Sequence, residues 1–280
     1  MPDINLNQLP AAALALGPAL TAQVENPYYG QIPANSPLGA PTVPRHQVLR
    51  PYPRFTTVTL YRNNIGHSSY HSSQVHLEKR FSARLTFTLA YTFSKLIDDA
   101  GAVFDAAILT GPVTNYQAVD SFNKRLEKDA STGNVPHIFS SGFVYDLPAG
   151  WQVAGIMRAQ PGSPLAVTQA TNLNAFAGFG VQRPSRQYDP SLAAPDRSAA
   201  RWFDTRAFTE APQFTLGNSS RNPVVGPGYR TVDLTAGKTF SITERWRAEV
   251  RAEAFNLTNT PPLGNSNTSF GTTTFGTITT

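Results

Sequence analysis

The stretch LTFTLAYTFS, Leu85–Ser94, alternates large apolar and small side chains without a break over ten positions. Successive side chains of a strand point to opposite faces. Leu85, Phe87, Leu89, Tyr91 and Phe93 therefore share one face, and Thr86, Thr88, Ala90, Thr92 and Ser94 the other. Ten residues match the roughly 9–11 that a tilted strand needs to cross a bilayer. Alternation alone leaves open whether the apolar face meets a protein core or lipid.

The same pattern recurs in five further segments. Phe139, Ser141, Phe143, Tyr145 and Leu147 share a face of His137–Leu147. Trp151, Val153, Gly155, Met157 and Ala159 oppose Gln152, Ala154, Ile156, Arg158 and Gln160. Val232, Leu234 and Ala236 oppose Thr231, Asp233 and Thr235, and Trp246, Ala248, Val250, Ala252 and Ala254 oppose Arg247, Glu249, Arg251 and Glu253. A weaker segment, Tyr70–Lys79, sets Val75 and Leu77 against Gln74, His76 and Glu78.

The connections are unequal. Turns at Ser82-Ala83, Pro148-Ala149-Gly150 and Ser241–Glu244 are short, whereas Leu96–Pro136 and Gln169–Gly228 run long and are rich in Gly, Pro, Asn and Asp. Long links count against a compact soluble domain, but alternating short and long links are what an outer-membrane barrel has. Phe81, Tyr145, Trp151, Phe240 and Trp246 flank the short turns, and Tyr91 and Phe93 mark the far end of their strand. Rings at both ends of an apolar band suit the two membrane interfaces.

Composition agrees with β structure and loops: 17 Phe, 10 Tyr, 20 Gly and 23 Pro in 280 residues, with 15% charged. Mean hydropathy is −0.26, and the longest apolar run, Ala11–Leu16, is too short to span a membrane as a helix. Pro10–Leu20 reads as a short helix within a loop, and the absence of a basic segment before it argues against a signal peptide. The lack of cysteine excludes disulfides, thiolate zinc sites and thiol catalysis. The +5 charge is scattered, with no nucleic-acid module.

Few residues invite a site. His67 and His71 share a face while His76 lies on the other, so no local metal triad forms and no metal is expected. Asp98-Asp99 begins a long loop and offers a cation site or a carboxylate pair, but adjacent acids at a strand exit read first as solvated turn residues. Arg247, Glu249, Arg251 and Glu253 form one charged strand face: either a solute pathway or plug-docking surface, or a ladder pairing with neighbouring strands. Sequons occur at Asn218 and Asn256. No catalytic motif is present, so no enzymatic activity, catalytic residue or cofactor is expected.

The strings KRFSARLTFTLAYTFSKLIDDA, FVYDLPAGWQVAGIMRAQPGSPLAV, RWFDTRAF, GPGYRTVDLTAGKTF and RAEVRAEAFNLTNTPPLGN resemble, in order, the C-terminal barrel of TonB-dependent outer-membrane receptors. They are most similar to the Oar-like group, which carries a carboxypeptidase-regulatory-like domain. The resemblance starts near Asp3. It implies an all-β antiparallel meander of about six transmembrane strands from a plugged barrel of about 22, located in the outer membrane and incomplete as it stands.

On that basis residues 1–65 are a loop-rich extracellular segment, 66–258 carry the strands with long loops at 96–136 and 169–228, and 259–280 lead toward a missing closing strand. The chain departs from the family by lacking a plug, a TonB-contacting segment and a signal peptide. A gene fragment or split product is therefore expected. The partners implied are outer-membrane lipid, the rest of the barrel and plug, the TonB system and a large solute, with no nucleic acid. The other reading of the residues is a soluble or surface β-sandwich, an adhesin or carbohydrate-binding module.

Overall fold

A computed structural model describes residues 4–60, 65–82, 84–99 and 118–279. Six long strands form one sheet: β1 (Ser68–Ser82), β2 (Leu85–Asp98), β3 (His137–Asp146), β4 (Trp151–Gln160), β5 (Tyr229–Ser241) and β6 (Arg247–Ala254). Each pairs antiparallel with its neighbour in sequence, so the sheet is an uninterrupted meander. The piece Asp129–Ala130 also pairs with the end of β2. Among the described residues the sheet is open, with β1 and β6 at its edges.

Register confirms the alternation. The row Leu77, Leu89, Ser141, Met157 and Val232 runs across one face, and the next row on that face is Lys79, Phe87, Phe143, Gly155, Leu234 and Ala254. At Gly155 the ring of Phe143 lies where a Cβ would stand, 2.6 Å away. Covering a strand glycine with an opposite aromatic closes the gap on the face.

All three tight turns lie at one end, and every long connection leaves from the other. The first turn includes Arg84 at φ 64°, the second Ala149 and Gly150 at 60° and 78°. The third is closed by Ile242 N–H donating to the Trp246 carbonyl at 3.0 Å. Ala83, the Phe81 side chain and residues 100–117 of the first long link lie outside the described residues.

The turns are staggered. Leu85, at the first turn, is in one row with Tyr145, Val153 and Ala236, and the third turn pairs Ser241 with Arg247, five residues further along. Five residues at roughly 3.3 Å, across four strand spacings of roughly 4.8 Å, give a tilt of about 40°. That is the tilt of strands in membrane barrels.

The core does not sit on the sheet. The buried apolar side chains, among the described residues, all lie outside β1–β6. One cluster joins Leu9, Leu14, Leu20, Ala177 and Phe179, and a second joins Val167, Phe203, Ala207, Phe208 and Val224. Phe203, Phe208, Phe270 and Phe275 meet edge to face at 5.2–6.0 Å. The long connections are therefore a packed layer at one end of the sheet, not the unstructured links their composition suggests.

Segment boundaries differ from expectation in three places. β4 stops at Pro161-Gly162, so the second long connection begins at 161 instead of 169. Ala11–Thr21 is two short 3₁₀ turns broken at Gly17 (φ 55°). The segment 259–280 joins the loop layer: Ser269–Phe270 pairs parallel with Thr168–Gln169, and Ile278 is buried.

On the apolar face Val75, Leu77, Phe93, Phe143, Tyr145, Trp151, Met157, Phe240 and Val250 remain 38–65% exposed. In water each would forfeit roughly 1 kcal/mol of burial, a total comparable to the ~5–15 kcal/mol that stabilises a domain. A sandwich would cover this face with a second sheet, and the described residues place none there.

Candidate functional site

The loop layer is bolted to the ends of the strands by buried charges. Asp98, the last residue of β2, pairs with Arg221 from the second long connection, both side chains under 5% exposed. This corrects the reading of Asp98-Asp99 as solvated: folding brings a guanidinium from 123 residues away onto Asp98. Next to them Asn222 N–H donates to Asp129 Oδ2 at 2.8 Å, and Asn222 Nδ2 donates to the Ala130 carbonyl at 2.7 Å.

A second buried pair, Glu127 with Arg183, ties the first long connection to the second. Glu127 Oε1 also accepts from Val119 N–H at 2.9 Å. Gln8 links the N-terminal segment to the first connection, donating to Asp120 Oδ1 at 2.7 Å and accepting from Ser121 N–H at 2.9 Å. Gln182 donates to the carbonyls of Ala211, Pro212 and Thr215 at 2.8–3.1 Å. Buried side-chain amides here do the work that ladders do in a sheet, satisfying loop carbonyls away from water.

The exposed surface of the layer carries a cluster around Asp204. Arg206 donates twice to its carboxylate, at 3.0 and 3.1 Å, Tyr188 Oη donates at 3.1 Å, and Arg201 lies at 3.3 Å. The Arg206 hydrogen bonds hold the Asp204 carboxyl well below its ordinary pKa, and desolvation followed by Asp204 raises that of Tyr188. Arg197 lies 5.6 Å over the Trp202 ring. Guanidinium edges beside a phenol and an indole suit an anionic or hydroxyl-rich solute. The string RWFDTRAF carried this cluster in plain sight, but Tyr188 reaches it only through the fold.

Elsewhere in the layer, His46 meets the Phe176 ring at 5.0 Å. Desolvation, and then Arg50, lower its pKa to about 4.

The polar face of the sheet is the other candidate surface. Arg251 pairs with Glu249 at 2.7 Å and Glu253 at 3.6 Å, both on its own strand. β5 offers these charges no ladder partner, because Thr235, Gly237, Thr239 and Ser241 lie opposite. Val144, Ala154, Ile156 and Phe255 line a shallow groove of about 400 Å³ bordered by Asp233 and Glu253.

The histidines stay apart. His67 N–H donates to Asp99 Oδ1 at 2.6 Å, His71 Nε2 meets Ser69 Oγ at 3.1 Å, and His76 faces the other side. Among the described residues no three metal-ligating side chains converge. Both sequon amides are hydrogen-bonded: Asn218 Oδ1 accepts from Arg186 N–H, 32 residues away, at 2.5 Å, and Asn256 Nδ2 closes a local turn by donating to the Thr260 carbonyl at 3.0 Å.

The tilt, the one-sided connections and the uncovered apolar face describe part of a membrane barrel wall. No curated protein and no solved structure matches the chain. Residues 3–280 match the family described as outer membrane beta barrel domain. The chain thus belongs to the outer membrane beta barrel domain family and is a protein of the outer membrane.

Proposed function

We propose that this chain forms a section of the wall of a TonB-dependent receptor, non-enzymatic, that takes part in energised uptake of a large solute such as a siderophore, glycan or peptide. The observation that carries the reading is the placement of the core. An ordered, buried-charge-linked layer caps one end of the sheet, while the strands keep their apolar face for lipid. The ordered phrases shared with such receptors add the energised step.

In this reading the loop layer faces outward and the Tyr188, Arg206 and Trp202 surface makes first contact with solute. The polar face lines the lumen, where the groove beside Asp233 and Glu253 receives an internal plug. Strand edges at β1 and β6 pair with further strands of the same receptor, because lipid cannot satisfy edge N–H and C=O groups.

The test is uptake in the native bacterium. Radiolabelled ferric siderophores, oligosaccharides and peptides are supplied to the wild type and to Arg206→Ala and Trp202→Ala strains, with and without an uncoupler of the inner-membrane proton gradient. One probe is expected to accumulate only with the gradient intact, and less in the variants. Entry of every probe regardless of the uncoupler would overturn energised uptake in favour of a passive pore.

A further inference from the structure

The apolar face carries six ionisable cations or histidines and no acid. Following the register, His71, Lys79, Lys95, His137, Arg230 and Lys238 lie on it, while every Asp and Glu of the six strands lies on the opposite face. Chance scatter would mix the signs, as the polar face does with Glu78, Arg158, Asp233 and Arg251.

Their heights are ordered too. Lys79 is three residues before the end of β1 and Lys238 three before the end of β5, both at the short-turn end. His71, Lys95, His137 and Arg230 lie toward the loop end. Lys95 is eight positions along β2 from Phe87, the residue opposite Lys79, and Arg230 is eight from Lys238. At a tilt of about 40° eight residues climb roughly 20 Å, close to the roughly 25 Å apolar band of an outer-membrane barrel.

Lys238 has the most built surroundings. Its Nζ lies 5.2 Å from the Trp151 ring centroid and 4.9 Å from that of Phe240. Trp151 is its direct cross-strand neighbour on β4, and on its other side stands Val250 of β6. The two rings hold the ammonium at a fixed height by cation–π attraction. They satisfy none of its three N–H donors with an oxygen, which leaves those donors for an acceptor arriving from the membrane side.

We propose that Lys238, framed by Trp151 and Phe240, is a binding site for the phosphate of a glycerophospholipid in the periplasmic leaflet. The ammonium would donate to the phosphodiester oxygens, the rings would pack against the glycerol and upper acyl carbons, and Lys79 would hold a second headgroup at the same level two hairpins away. The site argues for a lipid over a free anion because the ammonium and both exposed rings share the apolar face, so one ligand must offer a phosphate and hydrocarbon together.

The test measures phospholipid that stays with the full chain extracted from outer membranes in mild non-ionic detergent, quantified per mole of protein by mass spectrometry. Lys238→Glu is expected to lower retained phospholipid by about half, the share of one of the two headgroup sites, through loss of its charge-assisted contact. Lys238→Arg is expected to retain it, and Lys124→Glu, on the loop surface, to change nothing. If Lys238→Glu does not accumulate, Lys238→Gln carries the same comparison. Equal retention in wild type and the Lys238 variants overturns the proposal, as does an equal loss in Lys124→Glu.

Discussion

Leu89 and Thr88 are neighbours in sequence and belong to different surroundings. Leu89 lies mid-height on the face that the register makes continuous with Leu77, Met157 and Val232, and Thr88 lies on the face of the charges. An arginine at the bilayer midplane costs about 2–4 kcal/mol on the lipid side of a barrel, whereas lumen substitutions are tolerated. Leu89→Arg should therefore sharply lower the protease-resistant form in outer membranes, and Thr88→Arg should leave it near wild type. A lower yield for Thr88→Arg than for Leu89→Arg would show that the faces are assigned the wrong way round, and similar yields that neither face meets lipid.

Among the elements, the connection from 161 to 228 depends on the end of β2. The Asp98–Arg221 pair is buried on both sides, and removing one partner of a buried pair leaves an uncompensated charge, costing about 3–5 kcal/mol. Arg221→Ala should loosen the loop layer, read as faster proteolysis within 161–228, while the strands stay protected. Replacing both charges, Asp98→Asn with Arg221→Met, should recover most of the protection. A double variant as labile as the single would show that the pair contributes specific contacts beyond its charge balance.

For the molecule as a whole, the open sheet is the governing fact. The outer edges of β1 and β6 present backbone donors and acceptors with no strand beside them among the described residues. Each unsatisfied group in hydrocarbon costs several kcal/mol, so the isolated chain should give no stable, large conductance step after refolding into planar bilayers. Steady, uniform pores would mean that copies of the chain close a ring by themselves.

Strand number, faces and turn positions were legible in the residues of LTFTLAYTFS and its five counterparts, and the location in the outer membrane in the unequal connections, the flanking rings and the family phrases. Period-two alternation is a local property that each strand carries on its own, and a short turn leaves its neighbour no other partner. Tilt required the register, which is a relation between strands. The packing of the loop layer was not legible, even where RWFDTRAF held most of the Asp204 cluster in one string. Asp98 looked solvated because Arg221 stands far away in the chain, and Gln8, Gln182 and Glu127 looked like ordinary polar loop residues. Only folding encloses them, and enclosure converts an amide or carboxylate from a solvated group into one that must find a partner. The Lys238 site has the same character: Lys238 and Phe240 adjoin in sequence, but the register alone sets Trp151 beside them on the membrane face.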